Sequence, residues 1–293
     1  MAWLINAAQL DKFRKSQKNI LIFDASLHRE KRNAKEEFLE KHIIDAQFFD
    51  IDFFSDPNSA LPHTVIRDNE IISKKCGSLG IRNDCKIVFY DNSDLHSASR
   101  ALWMLKLFGH NSNQLYILDG GLKAWEQFGG KIESGSNPST TERAYTANYQ
   151  PKFLSTLGAM KSYVAGETTQ IIDTRHPVRF AGGPEIREGL RRGHFPGSIC
   201  LPFMTLFNKD GTFLPLEKIR LKLTDVGVDL NTPIVTTCGS GITAPVLNFV
   251  LDLLDHENHS VYDGSWSEWG AEKLYPGENS LNERPVETCI ESL

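Results

Sequence analysis

The sequence predicts an α/β fold built as a tandem duplication, each copy a mainly parallel sheet with helices on both faces. Three observations carry this. Short apolar runs ending in Asp alternate with longer amphipathic stretches, as in βα units. The same landmarks then recur in the same order in the second half of the 293-residue chain. A stretch rich in Gly, Ser, Thr and Asn, Gly129 to Pro151, separates the two copies and shows no sustained apolar period.

In the first copy, Ile20-Leu21-Ile22-Phe23-Asp24 reads as a buried parallel strand. A charged helix-former stretch, Ala34 to Lys41, follows, then the segment from His42 to Phe49 and a polar loop from Asp50 to His63. Glu70 to Leu79 reads as a helix closed by Gly80, and Lys86 to Asp91 as the next strand. His96 to Phe108, stopped by Gly109, is a helix; Leu115 to Leu118 is a strand; Asp119-Gly120-Gly121 turns into a helix carrying Trp125. In the second copy, Gln170 to Asp173 answers Leu21 to Asp24, and Gly193-His194-Phe195-Pro196-Gly197-Ser198 answers the segment beginning at His42. Ile234 to Cys238 answers Ile87 to Asp91, and Val261-Tyr262-Asp263-Gly264-Ser265-Trp266 answers Ile117 to Leu122. The expected division is 1–130 for the first domain, 131–152 for a linker, 153–280 for the second domain and 281–293 for a polar tail.

Composition narrows the function classes. A net charge of −5 supplies no general attraction for nucleic acid. Hydrophobic content of 40% and charged content of 24% describe an ordinary globular chain; no secretory signal is visible and none is expected, and no run approaches roughly 18 apolar residues. Nucleic-acid and membrane partners are therefore not expected. The five cysteines are odd in number and lack metal-ligand spacing, which predicts a reducing, cytoplasmic setting and no metal. Cys200, between Ile199 and Leu201, reads as core.

The chemistry concentrates in Thr236-Thr237-Cys238-Gly239-Ser240-Gly241-Ile242-Thr243-Ala244. A cysteine at a strand end, before a glycine-rich turn that opens a helix, faces several backbone N–H groups. Such a nest favours the thiolate and lowers the pKa from about 8.5. Gly239 and Gly241 let the backbone curl close to the sulfur. The competing reading is a small buried apolar cysteine at a strand end. The position answering Cys238 in the first copy is Asp91, so one copy alone carries a sulfur nucleophile.

These residues resemble the rhodanese sulfurtransferases. The resemblance rests on the duplicated plan, the Gly-His-Phe-Pro-Gly-Ser segment, the Cys-Gly-Ser-Gly-Ile-Thr-Ala loop and Tyr262-Asp263-Gly264-Ser265-Trp266-Ser267-Glu268-Trp269. It implies two rhodanese-like domains and a persulfide carried on Cys238, held by Gly239, Gly241, Ile242 and Thr243, without a cofactor. It points to the branch whose donor is 3-mercaptopyruvate and whose acceptor is a thiol such as thioredoxin. Thiosulfate-using relatives usually have Cys-Arg-Lys-Gly-Val-Thr; the two cationic positions are Gly239 and Ser240 here. The phosphatases of related architecture need an Arg six positions after the cysteine, where this chain has Ala244.

The resemblance further assigns Arg179 and Arg187 to the donor's carboxylate and keto oxygen, a task suited to guanidinium forks. Arg191 and Arg192 read as field-setting or structural. An Asp52–His63–Ser240 relay is implied for the donor's thiol proton; a loop histidine and a capping aspartate are the competing readings. Thiosulfate:cyanide transfer on the same cysteine, and a non-catalytic rhodanese-type module, are the alternative functions. Two departures stand out: His42-Ile43-Ile44-Asp45-Ala46 where the family has His-Ile-Pro-Gly-Ala, and Pro245 directly after the loop.

Overall fold

The computed structural model describes residues 3–16, 19–29, 32–136, 141–166 and 168–289. The chain divides into two compact units. Unit 1 comprises Met1–Asp56, Val65–Gln150 and Phe207–Phe213; unit 2 comprises Pro57–Thr64, Pro151–Leu206 and Leu214–Leu293.

Unit 1 contains β1 (Trp3–Ile5), α1 (Ala7–Ser16), β2 (Ile20–Asp24), α2 (Ala34–Glu40), β3 (His42–Ile43) and β4 (Ala46–Phe48). It continues with α3 (Asn69–Ser78), β5 (Lys86–Tyr90), α4 (Ala98–Leu107), β6 (Leu115–Leu118), α5 (Gly121–Gln127) and β7 (Ile132–Glu133). Five strands form a parallel sheet in the order β1-β6-β5-β2-β4, while β3 and β7 make a small antiparallel pair. Parallel neighbours need crossovers, which the helices supply. Ile87, Val88, Phe89 and Tyr90 are all fully buried, so both faces of β5 are covered. Val88 and Tyr90 pack with Ile5, Leu10, Phe38 and Trp125 on one face. By strand alternation Phe89 points the other way, into a ring cluster with Phe23 and Phe49, whose stack with Phe54 reaches Phe108.

Unit 2 repeats the plan with β8 (Leu154–Ser155), α6 (Leu157–Val164), β9 (Gln170–Asp173), α7 (Pro177–Phe180) and β10 (Ile199–Cys200). It ends with α8 (Leu216–Asp225), β11 (Ile234–Thr237), α9 (Ala244–Leu253), β12 (His259–Tyr262) and α10 (Ser265–Trp269). Its sheet is again parallel, in the order β10-β9-β11-β12-β8. Matching β8, β12, β11, β9 and β10 to β1, β6, β5, β2 and β4 gives the same strand order, so the duplication is one of topology as well as sequence. Phe195, Trp266 and Trp269 fill one face with Met160, Val235 and Tyr262.

The units are not contiguous halves. Phe207–Phe213, from the second half of the sequence, belongs to unit 1 because Phe207 stacks on His96 at 3.5 Å and the Phe213 N–H donates to the Asp119 carboxylate at 2.8 Å. The expected linker is docked as well: Arg143 N–H donates to the Gly77 carbonyl at 3.0 Å, Ala147 N–H to Ser73 Oγ at 2.9 Å, and Tyr145 is buried. Residues 137–140 of that stretch lie outside the described ones.

The tail expected from Leu281 onward is corrected as far as Cys289, the last described residue. Arg284 is fully buried, and its guanidinium donates to the carbonyls of Glu268, Trp269, Ala271 and Lys273 and to the Glu278 carboxylate. Polar composition hid this because one arginine gathers carbonyls that no apolar period marks. Cys200 is also corrected: it lies half-buried on a sheet edge, and burial pushes its thiol up to about 11. The family's Pro-Gly turn is closed here by Asp45 in the left-handed region (φ 65), which Asp tolerates, with Arg14 paired to it at 2.6 Å. No helix among the described residues is long and apolar enough to cross a membrane.

Candidate active site

Cys238 follows directly on β11, flanked by β9 and β12, at the carboxyl end where open α/β sheets bind ligands. The loop then runs to α9, which starts at Ala244 and accepts Pro245 in its first turn, where the missing N–H costs nothing. Cys238 is almost fully buried, 2% exposed. Burial alone pushes the thiol up. The Thr243 hydroxyl and the N–H groups of Ala244, Ser240 and Thr243 outweigh it, and the thiol settles below its ordinary value. The loop thus turns several donors toward the sulfur.

Its two glycines have different reasons. Gly241 sits at φ 80, the left-handed region that glycine enters freely. Gly239 has no such angle; a Cβ there would lie 3.3 and 3.5 Å from Nη1 and Nη2 of Arg179 and 3.7 Å from Nη1 of Arg187. Glycine at 239 makes room for two guanidinium groups.

Those two arginines are held differently. Arg179, on α7, gives its Nε and Nη2 to Glu185, the shortest contact being 2.6 Å. Glu185, whose side chain is 4% exposed, also takes Arg175 Nη1 at 3.0 Å. Arg175 is paired in turn to Asp173 at 2.6 Å and lies 4.1 Å over the Trp266 ring. Arg187 is tied to the loop itself: Nη1 donates to Ser267 Oγ at 2.8 Å and to the Gly239 carbonyl at 3.2 Å, and Nη2 donates to Ser240 Oγ at 3.0 Å. Arg191 spends its donors on the carbonyls of Gly270, Trp269 and Leu281, a structural role.

Unit 2 thus brings Cys238, Gly239, Ser240, Gly241, Ile242, Thr243, Arg179 and Arg187 together. His63 belongs to the same unit, in the segment Pro57–Thr64, half-buried and at φ 59. Asp52 belongs to unit 1, where it opens a 3-10 turn, is exposed and accepts from Ser55 Oγ at 3.3 Å.

Four residues of the site escaped the sequence reading: Arg175, Glu185, Ser265 and Ser267. Ser265 accepts the Cys238 N–H at 3.1 Å, and its Oγ lies 3.9 Å from Cys238 Sγ. Its φ is 49, whereas the matching residue of unit 1, Gly121, has φ 56. A serine held where its duplicate has glycine costs of order 1 kcal/mol, and the hydroxyl beside the sulfur is what that strain secures. The signal was in plain view, since both serines alternate with Trp266 in the quoted Gly264–Trp269 stretch, and Glu185 stands between the two arginines.

The corresponding loop of unit 1 is closed on its own carboxylate. Asp91 accepts the Ala98 N–H at the start of α4 at 2.8 Å and the Ser93 N–H at 3.3 Å. Desolvation pushes Asp91 up to about 6, and Asp24 likewise to about 6. Where unit 2 pairs Asp173 with Arg175, unit 1 has Ser26 two residues after Asp24, whose hydroxyl and N–H favour the charge less than a guanidinium does.

A duplicated parallel α/β chain with one cysteine-bearing anion nest and two adjacent arginines defines a sulfur- or anion-handling class, and comparison with known proteins narrows it. The rhodanese-like domain matches residues 6–128 and again 156–272, and the chain belongs to the rhodanese family. It is 38% identical over 255 residues to the 3-mercaptopyruvate sulfurtransferase of Escherichia coli, covering 87% of this chain and 89% of that one. It is likewise 38% identical over 254 residues to the human 3-mercaptopyruvate sulfurtransferase, covering 85% and 84%. The thiosulfate sulfurtransferase of Gallus gallus is 34% identical over 253 residues, covering 85% of each. Among solved structures, Escherichia coli SseA, described as having the rhodanese fold of 3-mercaptopyruvate sulfotransferases, superposes with a TM-score of 0.82 at 34% identity, covering 92% of this chain and all of that one.

Proposed function

We propose that this protein is a sulfurtransferase that takes the sulfur of 3-mercaptopyruvate onto Cys238 and passes it to a thiol. The observation that carries the reading is a depressed thiol in a nest of N–H groups, with the Arg179 and Arg187 guanidinium groups beside Gly239. The Cys238 thiolate attacks the donor's sulfur. The S–S bond forms as the C–S bond breaks, and the electron pair leaves with C3 as the enolate of pyruvate. Arg179 and Arg187 offset the carboxylate and enolate charge. In this reading Ser240 and His63, both of unit 2, take the donor's thiol proton, which then reaches C3 and completes pyruvate. The outer sulfur of the Cys238 persulfide goes to a thiol such as that of reduced thioredoxin, in a reducing compartment such as the cytoplasm. The carrier is the protein's own sulfur.

Mass spectrometry of the protein after donor, before acceptor, is expected to find one extra sulfur on Cys238. Full turnover with Cys238 unmodified would sink the reading. Thiosulfate is the second donor to weigh, because the Gallus gallus relative is named for it. The neutral pair Gly239 and Ser240 favours mercaptopyruvate, and the ratio of kcat/KM for the two donors decides.

A further inference from the structure

Arg187 reaches the active loop from a stretch without helix or strand, on a long side chain that loses substantial rotamer entropy when fixed. Something must therefore hold its fork in register. Ser267, buried on α10, is placed to do so. Its hydroxyl has one proton, which goes to the Gly239 carbonyl at 2.8 Å; a lone pair then receives Arg187 Nη1 at 2.8 Å. The other fork nitrogen, Nη2, donates to Ser240 Oγ at 3.0 Å, so the Ser240 proton is turned away from the guanidinium. The matching residue in unit 1, the copy with Asp91 in place of the thiol, is the exposed Lys123.

We propose that Ser267 is a positioning residue that orients Arg187 toward both the donor's carboxylate and the Ser240 hydroxyl. This rests on the reading of the site as one for an α-keto acid thiol. The role is separable from mere support of the loop. The Ser267 backbone N–H also donates to the Gly239 carbonyl, at 2.9 Å, so that carbonyl stays tethered when the hydroxyl is removed. What Ser267→Ala loses is the nearer of the two acceptors of Arg187 Nη1, at 2.8 Å, leaving the Gly239 carbonyl at 3.2 Å to hold that nitrogen less closely.

The test alkylates Cys238 with iodoacetate and with iodoacetamide, two probes of nearly equal shape of which the first carries a carboxylate. In Ser267→Ala the iodoacetate-to-iodoacetamide rate ratio is expected to fall roughly 10-fold, the size of one charge-assisted hydrogen bond. Ser267→Thr, which keeps the hydroxyl, is expected to restore it, with both variants melting near the parent. The KM for mercaptopyruvate is expected to rise by a similar factor with kcat little changed. An unchanged ratio, or an equal slowing with both probes, overturns the proposal, the second outcome marking general damage to the thiol loop. Because alkylation uses no sulfur donor, a fallen ratio with mercaptopyruvate kinetics unaffected would overturn the donor assignment while leaving the Ser267–Arg187 coupling in place.

Discussion

The Glu185 carboxylate grips the Arg179 guanidinium at 2.6 Å while holding Arg175 at 3.0 Å with its other oxygen. One buried acid thus sets the pose of an arginine beside the thiol loop and ties it to the Asp173–Arg175 pair under Trp266. Glu185→Ala leaves Arg179 without this anion, while Arg175 keeps Asp173 alone. Removing one partner of a buried pair costs about 3–5 kcal/mol. Chemical denaturation is expected to show a loss of that order, and steady-state kinetics a KM for mercaptopyruvate raised at least about 10-fold.

Thr243 supplies the largest of the contributions that hold the Cys238 thiol down against burial. Thr243→Val keeps the shape and removes the hydroxyl. The pH profile of Cys238 alkylation by iodoacetamide is expected to move to higher pH, because the thiolate fraction at a given pH falls. An unmoved profile would assign the depressed pKa to the backbone N–H groups alone.

Asp24 titrates near 6 in the folded protein, above its ordinary 3.8. Folding therefore favours its protonated form. The stability this contributes is complete below about pH 4 and is lost as pH rises through 6, a swing of about 3 kcal/mol. Asp24→Asn is expected to lessen the fall of the unfolding free energy between pH 4 and 6, with Asp91 keeping its own share, read by urea titrations at several pH values.

Arg284 and Glu278 work in the opposite sense. Although burial alone would raise it, the Tyr275 N–H, Lys161 and Arg284 hold Glu278 down at about 2. Its stabilising contribution is present above about pH 4.5 and is lost as pH falls toward 2. Arg284→Ala strips the buried carbonyls of Glu268, Trp269, Ala271 and Lys273 of a donor and is expected to cost about 3–5 kcal/mol. A shallower acid limb of the stability profile in that variant, the Tyr275 N–H and Lys161 still holding Glu278, would confirm the coupling.

Period and order in the sequence determined the duplicated α/β plan, the strands at Ile20, Lys86, Leu115, Gln170 and Ile234, and the single nucleophile at Cys238. Those features are local: apolar runs, turn residues and helix starts declare themselves within a few positions of the chain. The three-residue β1 and two-residue β8 and β10 were too short to show a period. Tertiary structure decided what depends on distant partners. It set Glu185 between Arg175 and Arg179, hung Arg187 on Ser267 and Ser240, and buried Arg284 among carbonyls. It also grouped Pro57–Thr64 with unit 2 and Phe207–Phe213 with unit 1. A hydrogen bond between residues 80 positions apart, such as Arg187 to Ser267, leaves no spacing to read, because its geometry exists only once the segment carrying Arg187 has packed against α10 within unit 2.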